Sequence, residues 1–157
     1  MRWRMILTFL LASTLLLSGC KQNENDVYTG MQRNTIQDLQ SGSEMDYVYE
    51  FRGHSKHWAA VYITYKPKGE ENHTSRLFMK YIGKDPRPSG QLRYAYDTDG
   101  GEDGNGTLPS VDKIGNVYSL GSSGGNGSTA NPDSSVKMQV WWNKTSETIQ
   151  LDPIGTK

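Results

Sequence analysis

A chain of 157 residues, 34% of them hydrophobic and 10% aromatic, has room for one domain built on one core. Lys and Arg number 17 and so do Asp and Glu, so the formal charges cancel. That balance lacks the basic excess that nucleic-acid binders concentrate on one face, and no nucleic-acid partner is expected.

The N-terminus reads in three parts: a positive start at Arg2 and Arg4, an apolar stretch from Met5 to Leu17, and small residues at Ser18 and Gly19. This is the layout of an export signal. The apolar run is shorter than the ~20 residues of a spanning helix, and Lys21, Gln22, Asn23 and Glu24 follow at once, so it is not a permanent membrane span. Leu17, Ser18, Gly19 and Cys20 resemble the lipobox that ends bacterial lipoprotein signals. The resemblance implies that residues 1–19 are removed and that Cys20 receives a thioether-linked diacylglycerol. It also implies acylation of the new amine, with palmitate-type chains holding the protein in the cell membrane on its extracytoplasmic face. Two or three chains, at about 0.8 kcal/mol per buried methylene, anchor stably where one would not. Processing removes Arg2 and Arg4 and leaves two more acids than bases. Because Cys20 is the only cysteine, lipidation leaves no thiol for a disulfide, a thiolate metal site or a nucleophile. The folded part must then rest on its core alone.

Residues 20–44 are polar and turn-rich, with Asn23, Asn25, Gly30, Asn34, Gly42 and Ser43 breaking any apolar period. They are expected to form a flexible tether, because Ile36 and Leu39 mark at most one helical turn, too short to nucleate without packing. Residues 45–157 form the domain. Met45, Tyr47, Tyr49 and Phe51 alternate with Asp46, Glu50 and Arg52, the period of two that marks a strand with one wet face. The run from His57 to Lys66 is apolar on both faces and should be a central strand. Thr74 to Gly83 places Leu77, Met79 and Tyr81 opposite Arg76 and Lys80, although Phe78 and Ile82 blur the alternation. Leu92, Tyr94 and Tyr96 oppose Arg93 and Asp97, and Val136, Met138, Val140 and Trp142 oppose Lys137 and Gln139. Two weaker strands are expected near Val111 to Leu120 around a turn at Gly115 and Asn116, and a last one from Glu147 to Leu151 after an Asn143 to Ser146 hairpin. Asp97 to Gly106 and Gly121 to Asn131 should be mobile loops, since neither offers apolar groups to offset the ordering of its glycines. With no helical period from Met45 onward the strands must pair antiparallel. The expected fold is an all-β sandwich with an immunoglobulin-like Greek key, the alternative being a lipocalin-like β-barrel.

The segment Phe51, Arg52, Gly53, His54, Ser55, Lys56, His57, Trp58, the run Lys80 to Pro88, the glycine-rich middle and the terminal hairpin after Trp142 together resemble a group of uncharacterised Bacillus-type lipoproteins. The resemblance covers roughly residues 50–151. It implies a surface-anchored β domain and transfers no catalytic residue. The chain departs from that pattern at Trp141, where a polar residue is common, and at His57, where Asn is common.

Three sets of residues are candidates for chemistry. His54 and His57, with Glu50, form the nearest approach to a metal or acid/base cluster, but residues three apart on a strand face opposite ways and converge only through a turn or bulge. Asp97, Asp99, Glu102, Asp103 and Asn105 concentrate oxygen ligands on a glycine-rich loop, as calcium sites require, yet position twelve of an EF-hand register would be Leu108 or Ser110 rather than Glu, and a solvated turn is the expected reading. Trp141 shares the polar face of its strand with Lys137 and Gln139. An exposed Trp there is a binding anchor unless a loop or a long neighbouring side chain covers it. No nucleophile elbow, dinucleotide fingerprint or P-loop is present, and no cofactor or metal is expected. The function expected is that of a surface lipoprotein, a non-enzymatic module that binds an envelope or extracellular ligand. The alternatives are a small envelope enzyme using His54, His57 and Glu50, and a purely structural envelope protein.

Overall fold

The computed structural model describes residues 27–85, 88–111 and 117–155. The export signal and Cys20 lie outside the described residues, as does the turn expected at Gly115 and Asn116. Among the described residues no helix is long and apolar enough to cross a membrane.

Eight antiparallel strands form one sheet: β1 (Met45–His54), β2 (Trp58–Pro67), β3 (His73–Tyr81), β4 (Leu92–Thr98), β5 (Asp103–Leu108), β6 (Val117–Gly125), β7 (Val136–Trp142) and β8 (Thr145–Pro153). Their order is β5-β4-β7-β8-β1-β2-β3-β6. The all-β antiparallel expectation holds, and the single sheet curls nearly into a barrel. Its two halves, β1-β2-β3-β6 and β5-β4-β7-β8, press their inner faces onto one core that includes Trp58, Tyr62, Met79, Leu92, Met138 and Ile149.

The halves join where β1 meets β8, through only Phe51↔Pro153 and Arg52↔Asp152. Gly53 makes that approach possible, since a Cβ there would lie 1.9 Å from the Gln150 carbonyl oxygen. No ladder joins β5 to β6; instead Tyr94 and Tyr96 of β4 reach over to β6. The Tyr94 hydroxyl donates to the Leu120 carbonyl at 2.6 Å, and Tyr96 Oη lies 3.3 Å from Ser123 Oγ. The rings cross the inner face of β5, and Gly106 leaves room for one of them, because a Cβ there would meet Tyr94 Oη at 2.5 Å. The seam is therefore closed by side chains rather than by backbone.

Most expected strands lie where the alternation put them. The differences have physical causes. Asp103–Leu108, expected within a loop, is a strand because β4 supplies a full ladder to it, from Leu92↔Leu108 to Asp97↔Asp103. The Gly and Ser tract likewise continues β6 as far as Gly125, paired with His73 of β3. Met45 leaves the inner face on which it was expected. The register slips between Met45 and Tyr47, and Met45 packs on the outer face instead.

The largest departure concerns the tether. From Val27 onward the chain is a packed strap, with a 3-10 turn at Arg33–Thr35 and one α-helical turn at Gln37–Gln40. Val27, Met31 and Ile36 are buried against Ala59, Val61, Ile63 and Tyr65, the outward residues of β2. Burying a side chain the size of Met31 or Ile36 stabilises by about 1.5–3 kcal/mol, enough to hold a short turn that would not form alone. This second cluster explains why β2 reads as apolar on both faces. It also explains Phe78 and Ile82, which blurred the β3 alternation and pack under the strap.

Candidate functional site

Each end of the interior has its own character, set along β2 by Trp58, Ala60, Tyr62 and Thr64 in turn. At the Trp58 end, aromatic rings meet edge to face: Trp58 and Trp142 centroids are 5.5 Å apart, and Trp58 and Tyr81 centroids 5.0 Å. His57 is buried beside them. Its Nδ1 pairs with Glu147 Oε1 and its Nε2 lies 3.0 Å from the Asp85 carbonyl, so neither ring nitrogen is free. The second Glu147 oxygen accepts from Ser55 Oγ at 2.6 Å and from the His57 backbone N–H at 3.1 Å. Burial pushes the Glu147 carboxyl up, but Ser55 and His57 outweigh it and hold the group below the ordinary value. Ser55, His57 and Glu147 thus tie the β1–β2 turn to β8.

The structure does not bring His54, His57 and Glu50 together. His54 is exposed, with Nδ1 3.3 Å from the Ser55 carbonyl. Glu50 is on the outer face under the strap, 4% exposed, with Arg33 Nε 2.8 Å from one oxygen and an Arg52 terminal nitrogen 2.7 Å from the other. Both carboxylate oxygens of Glu50 are thus engaged by guanidinium groups, which makes its burial tolerable. Among the described residues no group of three His, Cys, Asp or Glu side chains could hold a metal ion.

The acidic loop disperses in the same way. Asp97 and Asp103 stand opposite each other on the outer face of β4 and β5. Asp99 accepts from the Ser135 backbone N–H at 3.0 Å and from its hydroxyl at 2.7 Å, bonds that lower its pKa. Glu102 turns inward. Its side chain is 10% exposed, and it accepts from Tyr62 at 2.6 Å, Ser75 at 2.9 Å and Thr129 at 3.2 Å, with Ser123 on the other oxygen. His73 Nε2 lies 3.6 Å away. Burial pushes this carboxyl up, but the Ser123, Tyr62 and Ser75 hydroxyls and His73 together hold it below the ordinary value. Burial, with the Glu102 hydrogen bond, pushes the Tyr62 phenol up. A carboxylate has roughly four acceptor sites. Three hydroxyls converge on one oxygen of Glu102 and one on the other, so the side chain staples the polar end of the seam. The sequence singled out Glu102 only as one of several loop acids, not as an inward-facing staple, and it did not single out Glu147, which sits among polar neighbours that read as solvated.

Trp141 lies where the alternation placed it, on the outer face of β7 and half-buried between exposed neighbours. Its cross-strand partners are Arg93 of β4 and Ser146 of β8. The Arg93 guanidinium carbon lies over one face of the indole, 5.5 Å from the ring centroid. This is cover by a long neighbouring side chain, and it is partial, because Trp141 is of intermediate exposure and lines the surface beside that contact. The two-residue turn Asn143-Lys144, with φ of 44° and 61°, projects Lys144 beside it in the hairpin that the sequence predicted. Gln91, Arg93, Trp141, Asn143, Lys144 and Ser146 line a shallow depression of about 300 Å³ there. A larger hollow of about 830 Å³, lined by Val27, Arg52, His54, Lys56 and Gly155 among others, lies where the described chain begins and ends.

No protein family, curated protein or solved structure matches this chain.

Proposed function

We propose that the chain is a lipid-anchored, extracytoplasmic binding module, non-enzymatic, whose contact surface is the Trp141 shelf. The observation that carries this reading is a partly exposed indole on the outer face of β7, lining a shallow depression. The Arg93 guanidinium carbon lies over its ring, and amide, hydroxyl and ammonium groups flank it. Aromatic side chains of this kind supply contact area at low entropic cost. The buried Glu50, His57 and His73 and the largely covered Glu102 and Glu147 all have polar partners within the fold.

The lipobox at Cys20 supports the anchor. With the packed strap starting at Val27, six residues separate it from Cys20. At no more than about 3.6 Å per residue the barrel is held within roughly 25 Å of the acylated residue, so the module works close to its membrane.

Two measurements test this. Mass analysis of protein from its native host should show chains beginning at residue 20 with acyl groups; intact chains with a free thiol overturn the anchor. Co-sedimentation with insoluble envelope material should fall about tenfold in Trp141→Ala. A variant that sediments like the wild type overturns the binding surface.

A further inference from the structure

The outer faces of the two halves differ. The strap covers β1, β2 and β3, whereas β5, β4, β7 and β8 carry exposed rows of short polar groups, among them Asn105, Thr107, Gln139, Thr148 and Gln150. Along β7, Lys137 stands four residues from Trp141, about 13 Å away at strand spacing. The acids Asp97 and Asp103 are paired with the Lys137 end of that face. The Trp141 end has the opposite character. Its lining includes Arg93 and Lys144 and no Asp or Glu. Neither cation takes part in an ion pair among the described residues.

We propose, resting on the reading of Trp141 as the binding anchor, that this end of the sheet binds a linear glycan bearing carboxylates, a chain of uronic-acid type. A pyranose ring offers a flat face of C–H groups that stacks on the exposed part of the indole. Its hydroxyls match the amide and hydroxyl rows of Gln91, Asn143 and Ser146. Carboxylates of the same or neighbouring units meet Lys144 and the free edge of Arg93, whose planar fork suits a carboxylate better than a single-point anion. A peptide ligand would need apolar recesses for its side chains, and the apolar lining of this shallow depression is Trp141 and the almost fully buried Trp142, with no aliphatic side chain among them. Cations at one end of the face and the acids Asp97 and Asp103 at the other also set the register of a long anionic chain on it.

The test is titration calorimetry of the mature protein with oligogalacturonate, with the same oligomer after reduction of its carboxyls to alcohols, and with a phosphodiester-linked sugar polymer. Binding is expected for the uronate oligomer alone, weakening as salt rises. A loss of about tenfold is expected in Trp141→Ala and again in Arg93→Gln with Lys144→Gln, at unchanged unfolding midpoints. No binding of the uronate oligomer, equal or tighter binding of the phosphodiester polymer, or full affinity in Trp141→Ala overturns the proposal. Equal binding of the reduced oligomer through Trp141 also overturns the acidic class, while leaving the binding module standing. Envelope co-sedimentation independent of Trp141 is the separate result that removes the module itself.

Discussion

Glu102→Gln is the substitution whose consequences follow most directly from the geometry. The carboxylate takes hydrogen bonds from Tyr62 and Ser75 on one oxygen and from Ser123 on the other. A bond to a charged acceptor contributes about 1.5–3 kcal/mol, roughly twice a neutral one. The amide keeps one acceptor but without the charge, and turns an NH2 toward one of the hydroxyls. Halving two bonds and mismatching a third costs on the order of 2–4 kcal/mol, a large share of the roughly 5–15 kcal/mol of a typical domain. The pH dependence carries a definite sign. The carboxyl of Glu102 is held below its ordinary value of 4.5 in the folded chain. Its contribution is therefore complete above the unfolded-state value and is lost as pH falls through the lower, folded one. Urea unfolding followed by tryptophan fluorescence, from about pH 7 to about pH 3, reads both effects. The wild type should exceed the variant by the full gap at neutral pH, and the gap should narrow once the pH drops below the ordinary carboxylate range. A variant within about 0.5 kcal/mol of the wild type at neutral pH, or a gap that stays constant on acidification, refutes the assignment of Glu102 as the seam's staple.

Met31→Ala should cost about 2–5 kcal/mol in thermal or urea unfolding, because Met31 of the strap is fully buried against β2; a change near zero would mean that residues 27–44 do not pack. Gly106→Ala should destabilise by displacing the Tyr94 ring. In a double-mutant cycle Tyr94→Ala should recover part of that loss, and strict additivity would show that the ring does not cross β5 there. Lys144→Gly should raise stability by about 0.5–1 kcal/mol by relieving the positive φ of the hairpin. The same change should reduce iodide quenching of Trp141 relative to caesium quenching, a readout that Trp58 and Trp142 barely enter, being 0% and 2% exposed.

Local chemistry was legible wherever it acts within a few residues. The period of two in Leu92–Thr98 and Val136–Trp142 placed both strands and sorted Trp142 inward from Trp141 outward. The Asn143-Lys144 turn and the double-sided apolar run of β2 were equally plain. These signals depend on backbone geometry and on neighbours in sequence, so they survive without knowledge of the fold. What the sequence could not disclose depends on partners far along the chain. Asp103–Leu108 and the glycines of β6 become strands only because β4 and β3 offer them ladders. Residues 27–44 are too polar to hold themselves in shape, and pack only because β2 and β3 turn an apolar face toward them. Glu50 and Glu102 stood out in the sequence only as candidate ligands beside His54 and on the acidic loop, and Glu147 not at all; tertiary structure alone brought the guanidinium, hydroxyl and imidazole groups that make their burial tolerable. Side-chain period is a local property, whereas the choice of which edge pairs, and which face is covered, is settled by contacts between residues that sequence order keeps apart.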